Sequence, residues 1–308
     1  MNKLIGFLAI LFLVNACDDG DVAIQDIKFE DVAGAGCGQI VYKLKGNEAL
    51  ILKITQIDSA FKNDQTKLNE PRIYAIDASN QVIYRAYNGV VSSDNICSTP
   101  PATKPDNTEE WTATGGTIEI TTTINKTTDP ITNASTIVGY NHFVQFKNIT
   151  FRKPNGDQFY DVYNFGTYKT TITPINLTFS NTVTLCTAGT NNIITNRRGT
   201  VALLSYDNNP NNLNASIGVK NAVISATNKL FYRTFSALNI NNYLCVSAFG
   251  LGSNLEKEWV ATTGSVEITT TSNSTGFKHT INLKGVTLKN GNSDFYLGDN
   301  FNAGEYLN

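Results

Sequence analysis

The chain has 308 residues, a formal charge of −2 and only two histidines, with 16% charged and 41% hydrophobic side chains. Its length allows two domains of ordinary size. So balanced a charge offers no basic surface for nucleic acid and no electrostatic attraction to anionic lipid.

At the start, Lys3 precedes an apolar run from Leu4 to Val14, followed by Asn15-Ala16-Cys17. This run is shorter than the ~20 residues that a helix needs to cross a hydrocarbon core of ~30 Å. A cation, a short apolar stretch and a small residue before a cleavage point read as a secretory signal. Cys17, directly after Ala16, makes the segment resemble a lipobox. That resemblance implies removal of residues 1–16 and a diacylglycerol on Cys17, which would anchor the chain to a membrane without spanning it. Asp18, Asp19 and Asp21 resemble the acidic export signal of surface lipoproteins in the Bacteroidota phylum, and Asp58-Ser59-Ala60 resembles the short O-glycosylation motif of that phylum, with Ser59 as acceptor. In enterobacterial lipoproteins an aspartate in the place of Asp18 resembles instead an inner-membrane retention signal. A body rich in Asn, Thr, Ile and Tyr favours the first reading, which implies an outer-membrane, cell-surface location. Residues 17–23 then form the lipidated N-terminus and a spacer.

From residue 24 onward short alternating segments dominate: Gln39–Lys45, Ala49–Ile57, Arg72–Ile76, Gln81–Tyr87, Thr117–Ile124, His142–Phe151 and Asp157–Tyr163. β-Branched and aromatic residues fill them, and Gly46-Asn47, Ala78-Ser79-Asn80 and Pro154-Asn155-Gly156 punctuate them. Such segments predict antiparallel strands joined by tight turns. Asn155-Gly156 is a hairpin signal, and Asn290-Gly291 is expected to play the same part later in the chain.

The later part is a second copy of the earlier one. WTATGGTIEITTT at Trp111–Thr123 returns as WVATTGSVEITTT at Trp259–Thr271, an offset of 148 residues. At the same offset Arg85 meets Arg233, Cys97 meets Cys245 and Glu110 meets Glu258, while Cys37 meets Cys186 one residue further on. After a gap His142 meets His279, Phe159-Tyr160 meets Phe295-Tyr296, and Asn164-Phe165 meets Asn300-Phe301. Units of this length are domains and not solenoid repeats. The expectation is therefore all-β: two tandem homologous antiparallel β-sandwiches, residues 24–172 and 173–308, with a closed barrel as the competing architecture.

With Cys17 as anchor, four cysteines remain, and an exported chain keeps them as cystines. The repeat selects Cys37–Cys97 and Cys186–Cys245, one per domain. A metal site does not fit, because the sequence has no C-x-x-C and no Cys/His cluster.

No residue set commits to a reaction. The sequence holds no G-x-S-x-G, H-E-x-x-H or P-loop motif. Glu119 and Glu267 alternate outward, and paired carboxylates for glycoside hydrolysis would each need a partner ~5–9 Å away. His142 shares a strand face with Val144 and Phe146 and reads, like His279, as a buried or rim side chain hydrogen-bonded to a neighbour, the alternative being metal or catalytic work. Arg85 with Glu110, and Arg233 with Glu258, read as structural ion pairs capped by Trp111 and Trp259, the alternative being an arginine at the floor of an acidic-ligand pocket. The aromatic endings supply the surface candidates Tyr160, Tyr163 and Tyr296, whose amphipathic rings suit sugar stacking, the competing reading being that alternate aromatics fill the core at each C-terminal strand. No cofactor and no metal are expected. The reading is a non-enzymatic lipoprotein that binds a glycan or an envelope protein, with an accessory role in an outer-membrane assembly as the alternative and a glycan-active enzyme behind both.

Overall fold

A computed structural model describes residues 26–188, 191–198, 201–207, 213–236 and 254–308. Cys17 and Cys245 lie outside the described residues, and with them the anchor and the second disulfide. The protein is all-β with two antiparallel sheets, one per sequence copy. In the first copy the strands are β1 (Ala35–Cys37), β2 (Ile40–Lys45), β3 (Glu48–Ile54), β4 (Arg72–Ala75), β5 (Asn80–Tyr87), β6 (Asn107–Thr128), β7 (Ser135–Lys153) and β8 (Gly156–Thr171), with one-turn helices α1 (Ile57–Ala60) and α2 (Asp94–Cys97). The second copy contains β9 (Thr184–Ala188), β10 (Asn191–Arg198), β11 (Val201–Asp207), β12 (Gly218–Val223), β13 (Lys229–Phe235), β14 (Leu255–Ser272), β15 (Phe277–Asn290), β16 (Ser293–Tyr296) and β17 (Asn300–Leu307).

The first sheet runs β1-β2-β3-β5-β6-β7-β8, with β4 on the far half of β6. Residues from β2 and β3 (Val41, Leu50, Leu52) share one core with residues from β7 and β8 (Phe146, Phe165), although these strands stand far apart in the sheet order. The sheet must therefore double over. Its bend falls where β6 carries register shifts between Ala113, Gly115 and Thr117, the usual device by which one strand passes between two layers. At that bend Gly116 has a φ of +116°, and a Cβ there would sit 2.7 Å from the Lys147 carbonyl oxygen. The result is a sandwich whose layers share strands. Its two ends, β1 and β8, approach each other without forming a ladder, so the barrel does not close. A smaller cluster of Tyr42, Ala49, Ile51, Tyr87, Val91 and Ile96 lies outside this core, beside the Cys37–Cys97 disulfide.

Strands β6 to β8 are longer than their sequence signals. Gly115-Gly116 and the runs of threonine read as interruptions, yet the ladder continues through them with bulges. The hairpin signals also shift. Pro154 and Asn155 are the two loop residues in the first copy, whereas Gly291 and Asn292 are in the second, as the end pairs Lys153↔Gly156 and Asn290↔Ser293 show. Gly291, with φ +58°, supplies the left-handed residue there. By strand register Phe295 therefore corresponds to Gln158, and Phe301 to Tyr163. The match of Phe159-Tyr160 to Phe295-Tyr296 is out by one place, and that of Asn164-Phe165 to Asn300-Phe301 by two.

A long insertion distinguishes the copies. Thr122 and His142 pair across β6–β7 at a separation of 20 residues, while Thr270 and His279 pair across β14–β15 at a separation of 9. The eleven additional residues extend the first hairpin into the second copy, where Ile137 and Tyr140 are buried in the second core and Ile124 packs on it. Polar contacts fix this junction: Lys126 Nζ pairs with Asp294 at 2.5 Å, the Tyr296 N–H donates to Ser135 Oγ at 2.8 Å, and Asn133 Nδ2 donates to Asp299 at 2.8 Å. Between the sheets Ile172, Ile175, Leu177 and Phe179 also pack on the second core, so this segment is part of that domain.

Candidate functional site

Both histidines are fully buried. Arg72 Nη1 donates to Thr122 Oγ1 at 2.7 Å, and Thr122 Oγ1 lies 2.9 Å from His142 Nδ1. His142 Nε2 lies 3.0 Å from Thr170 Oγ1, whose proton goes to Asn63 Oδ1 at 2.6 Å. These directions fix the Nε2–H tautomer by assignment from the network. Burial, with the Arg72 charge as a second cause, pushes the His142 pKa down to about 4. The second copy repeats the arrangement: His279 Nδ1 is 2.8 Å from Thr270 Oγ1 and Nε2 is 3.3 Å from Asn308 Oδ1. Burial lowers its pKa too, with Lys220 contributing from the position matching Arg72. The histidines are structural links holding the β6–β7–β8 and β14–β15 layers.

The ion pairs form as expected, at 2.7 Å for Arg85 Nε–Glu110 and 2.6 Å for Arg233 Nη2–Glu258. The tryptophans do not cap them. Adjacent strand residues face opposite ways, so Trp111 points into the core against Tyr84, at 4.5 Å between ring centroids, and its indole N–H donates to Glu109. Trp259 likewise packs on Phe295 at 5.0 Å. The cation over Trp111 is Lys153, and Arg233 instead lies 4.8 Å from the Phe231 ring.

The tyrosine candidates separate. Tyr163 is 4% exposed and belongs to the first core, which takes it off the surface. Tyr160 is half-buried against Phe151 and Tyr163, and Gln158 donates to its hydroxyl. Tyr296 sits at the junction of the copies, its hydroxyl 2.9 Å from Asp299. None of the three lines the cleft described next. Ser59 is exposed on α1.

That cleft lies at the seam between the ends of the first sheet. Lys43, on β2, points inward and is 1% exposed; its Nζ donates to the Phe29 carbonyl at 2.8 Å and lies 5.2 Å from the Phe165 ring centroid. Burial lowers its pKa, against the opposing field of Glu30 and Asp31. Gly166, with φ +93°, leaves room for this ammonium, since a Cβ there would stand 2.6 Å from Nζ. With Ile27 and Phe29 buried in the core, the chain turns at Phe29–Val32 (Val32 N–H to Phe29 O, 3.1 Å). The turn forms one wall of an open cleft of about 430 Å³, lined by Glu30, Asp31, Phe143, Asn164, Thr167 and Lys169 among others. Phe143 is 39% exposed, and Gln145 Nε2 donates to Asn164 Oδ1 at 2.7 Å. A second opening, of about 410 Å³, lies beyond Tyr168 against Asp58, Phe61 and Asn63.

At the same seam the second copy is closed. Thr182 bridges to Glu305, the Val183 N–H donates to the Glu305 carbonyl at 2.9 Å, and the Glu305 N–H donates to Asn181 at 2.6 Å. Glu305 stands in the register of Thr167, and Thr280 in that of Phe143. Among the described residues, no backbone hydrogen bond joins residues 30–34 to β8. Phe143 and Lys43 escaped the sequence reading. Phe143 left a signal, an aromatic on the outward phase of a strand whose inward phase is His142, Val144 and Phe146. No group of three or more metal-ligating side chains occurs among the described residues. No protein-family model, curated protein or solved structure matches this chain.

Proposed function

We propose that the protein is a non-enzymatic binding lipoprotein of the bacterial outer membrane, anchored through Cys17, with its ligand seat at the seam of the first copy. The observation that carries this reading is the contrast between copies: the same seam is zipped by backbone hydrogen bonds at Asn181–Val183 and open at Glu30–Gly34. A seam of one design, opened in a single copy and given an exposed aromatic, suits recognition. The second copy then serves as a mount, held by the extended β6–β7 hairpin.

Two measurements test this. Cells labelled with a fatty-acid analogue should incorporate it into the wild-type chain and not into Cys17→Ser; labelling that survives the substitution sinks the anchor. Envelope extract should be retained by the chain from Asp18 to Asn308 and lost on Phe143→Ala. Retention unchanged by that substitution would move the binding elsewhere, such as the face an accessory assembly component would use.

A further inference from the structure

The chemistry of this cleft narrows its ligand. Phe143 presents part of its ring on the outer face of β7, a surface on which the C–H face of a sugar stacks. Beside it, Gln145 Nε2 occupies the Asn164 carbonyl, which leaves the Asn164 NH2 group as the donor facing the cleft. Glu30 and Asp31 on the wall are further acceptors, and Lys169 a donor. Two carboxylates against the Lys169 ammonium, with the buried Lys43 ammonium behind Gly166, leave the cleft nearly balanced in charge. A strongly anionic or cationic ligand would gain little there. A wholly apolar ligand is disfavoured too, because beside Phe143, Val32 and Ala33 the lining carries the Asn164 amide, the Glu30 and Asp31 carboxylates and the Thr167 hydroxyl, which such a ligand would bury without partners. A ligand carrying many hydroxyls and no charge satisfies all of them.

We infer that the seam of the first copy binds a neutral, hydroxyl-rich sugar ring, stacked on Phe143 and hydrogen-bonded by Asn164, Lys169 and the Glu30–Asp31 turn. This rests on the binding function proposed above. The second copy should bind no sugar at its equivalent place, where Thr280 replaces Phe143 and Glu305 is held by the Lys278 ammonium at 3.2 Å.

The test uses the chain from Asp18 to Asn308 on an array of neutral hexose, N-acetylhexosamine and uronic-acid glycans, followed by titration calorimetry on any neutral glycan retained. At least one neutral glycan should bind. Phe143→Ala should weaken it tenfold or more and Asn164→Ala severalfold, while Phe159→Ala, an exposed aromatic outside the cleft, should leave it unchanged. Phe143 is partly exposed, so the variant is expected to fold, and an unchanged melting temperature would verify this. Retention of uronic-acid glycans alone, or of no glycan, overturns the sugar assignment. If Phe143→Ala still abolishes retention of envelope extract in the latter case, the binding function stands and only the ligand class falls. Neutral-glycan binding indifferent to both Phe143→Ala and Asn164→Ala overturns the site.

Discussion

The two copies share an interior and differ at their margins. Each keeps a Thr–His bond inside, an Arg–Glu pair across neighbouring strands and a Tyr–Trp contact or its counterpart in the core. The differences fall at the hairpin between β6 and β7, which is longer by eleven residues than its twin, and at the incoming segment, which passes β8 without backbone hydrogen bonds in the first copy and zips onto β17 in the second. A duplicated domain can change where its ladder ends without disturbing the core. Here one change joins the copies and the other opens a cleft.

The largest effect expected from separating the copies comes from the Cys37–Cys97 bridge. Its sequence separation is 60 residues, and closing such a loop contributes about 4 kcal/mol in the chain-entropy model. Cys37→Ala with Cys97→Ala should lower the urea midpoint reported by Trp111 in a Trp259→Phe background, and leave the Trp259 signal of a Trp111→Phe background nearly in place. Equal losses at both reporters would mean that the copies unfold as one unit.

Ile137 sharpens the comparison from the other side. It belongs to the first copy in sequence and is fully buried in the second core, so Ile137→Ala should cost about 3 kcal/mol. That loss should appear at Trp259; a shift confined to Trp111 would refute the hairpin's role as a clamp.

Acid should act through the histidines. His142 stays neutral in the folded chain down to about pH 4, whereas the unfolded chain takes up its proton near pH 6.5. The unfolded state therefore binds more protons in that window. Stability is complete above pH 6.5 and falls as the pH drops towards 4, by roughly 3 kcal/mol from this residue. Denaturation followed across pH 4–7 should show this slope in wild type and a shallower one in His142→Gln. An unchanged slope would show that the Thr122–His142–Thr170 chain does not govern it.

The ion pairs give the smallest contrast. The Arg233 side chain is 3% exposed and that of Arg85 30%. Arg233→Met strands Glu258 beside a buried face and should cost about 2 kcal/mol, while Arg85→Met should cost less than about 1 kcal/mol. Equal costs in chemical denaturation would erase the distinction.

The periodicity, the duplication and the pairing of Cys37 with Cys97 were legible in the residues alone. Alternation placed His142, Val144 and Phe146 on the core face, and the repeated Arg and Glu identified both ion pairs, because these features depend on neighbours along a strand or on an internal copy. Where Trp111 and Tyr163 point, how far the ladder runs through Gly115-Gly116, and the reach of Lys43 to the Phe29 carbonyl were not legible there. Those outcomes depend on which distant strands meet when the sheet folds over. Strand phase says which way a side chain faces, and not what stands opposite; the cleft at Phe143 opens where the segment after the Phe29–Val32 turn passes β8 without the backbone hydrogen bonds that its twin makes.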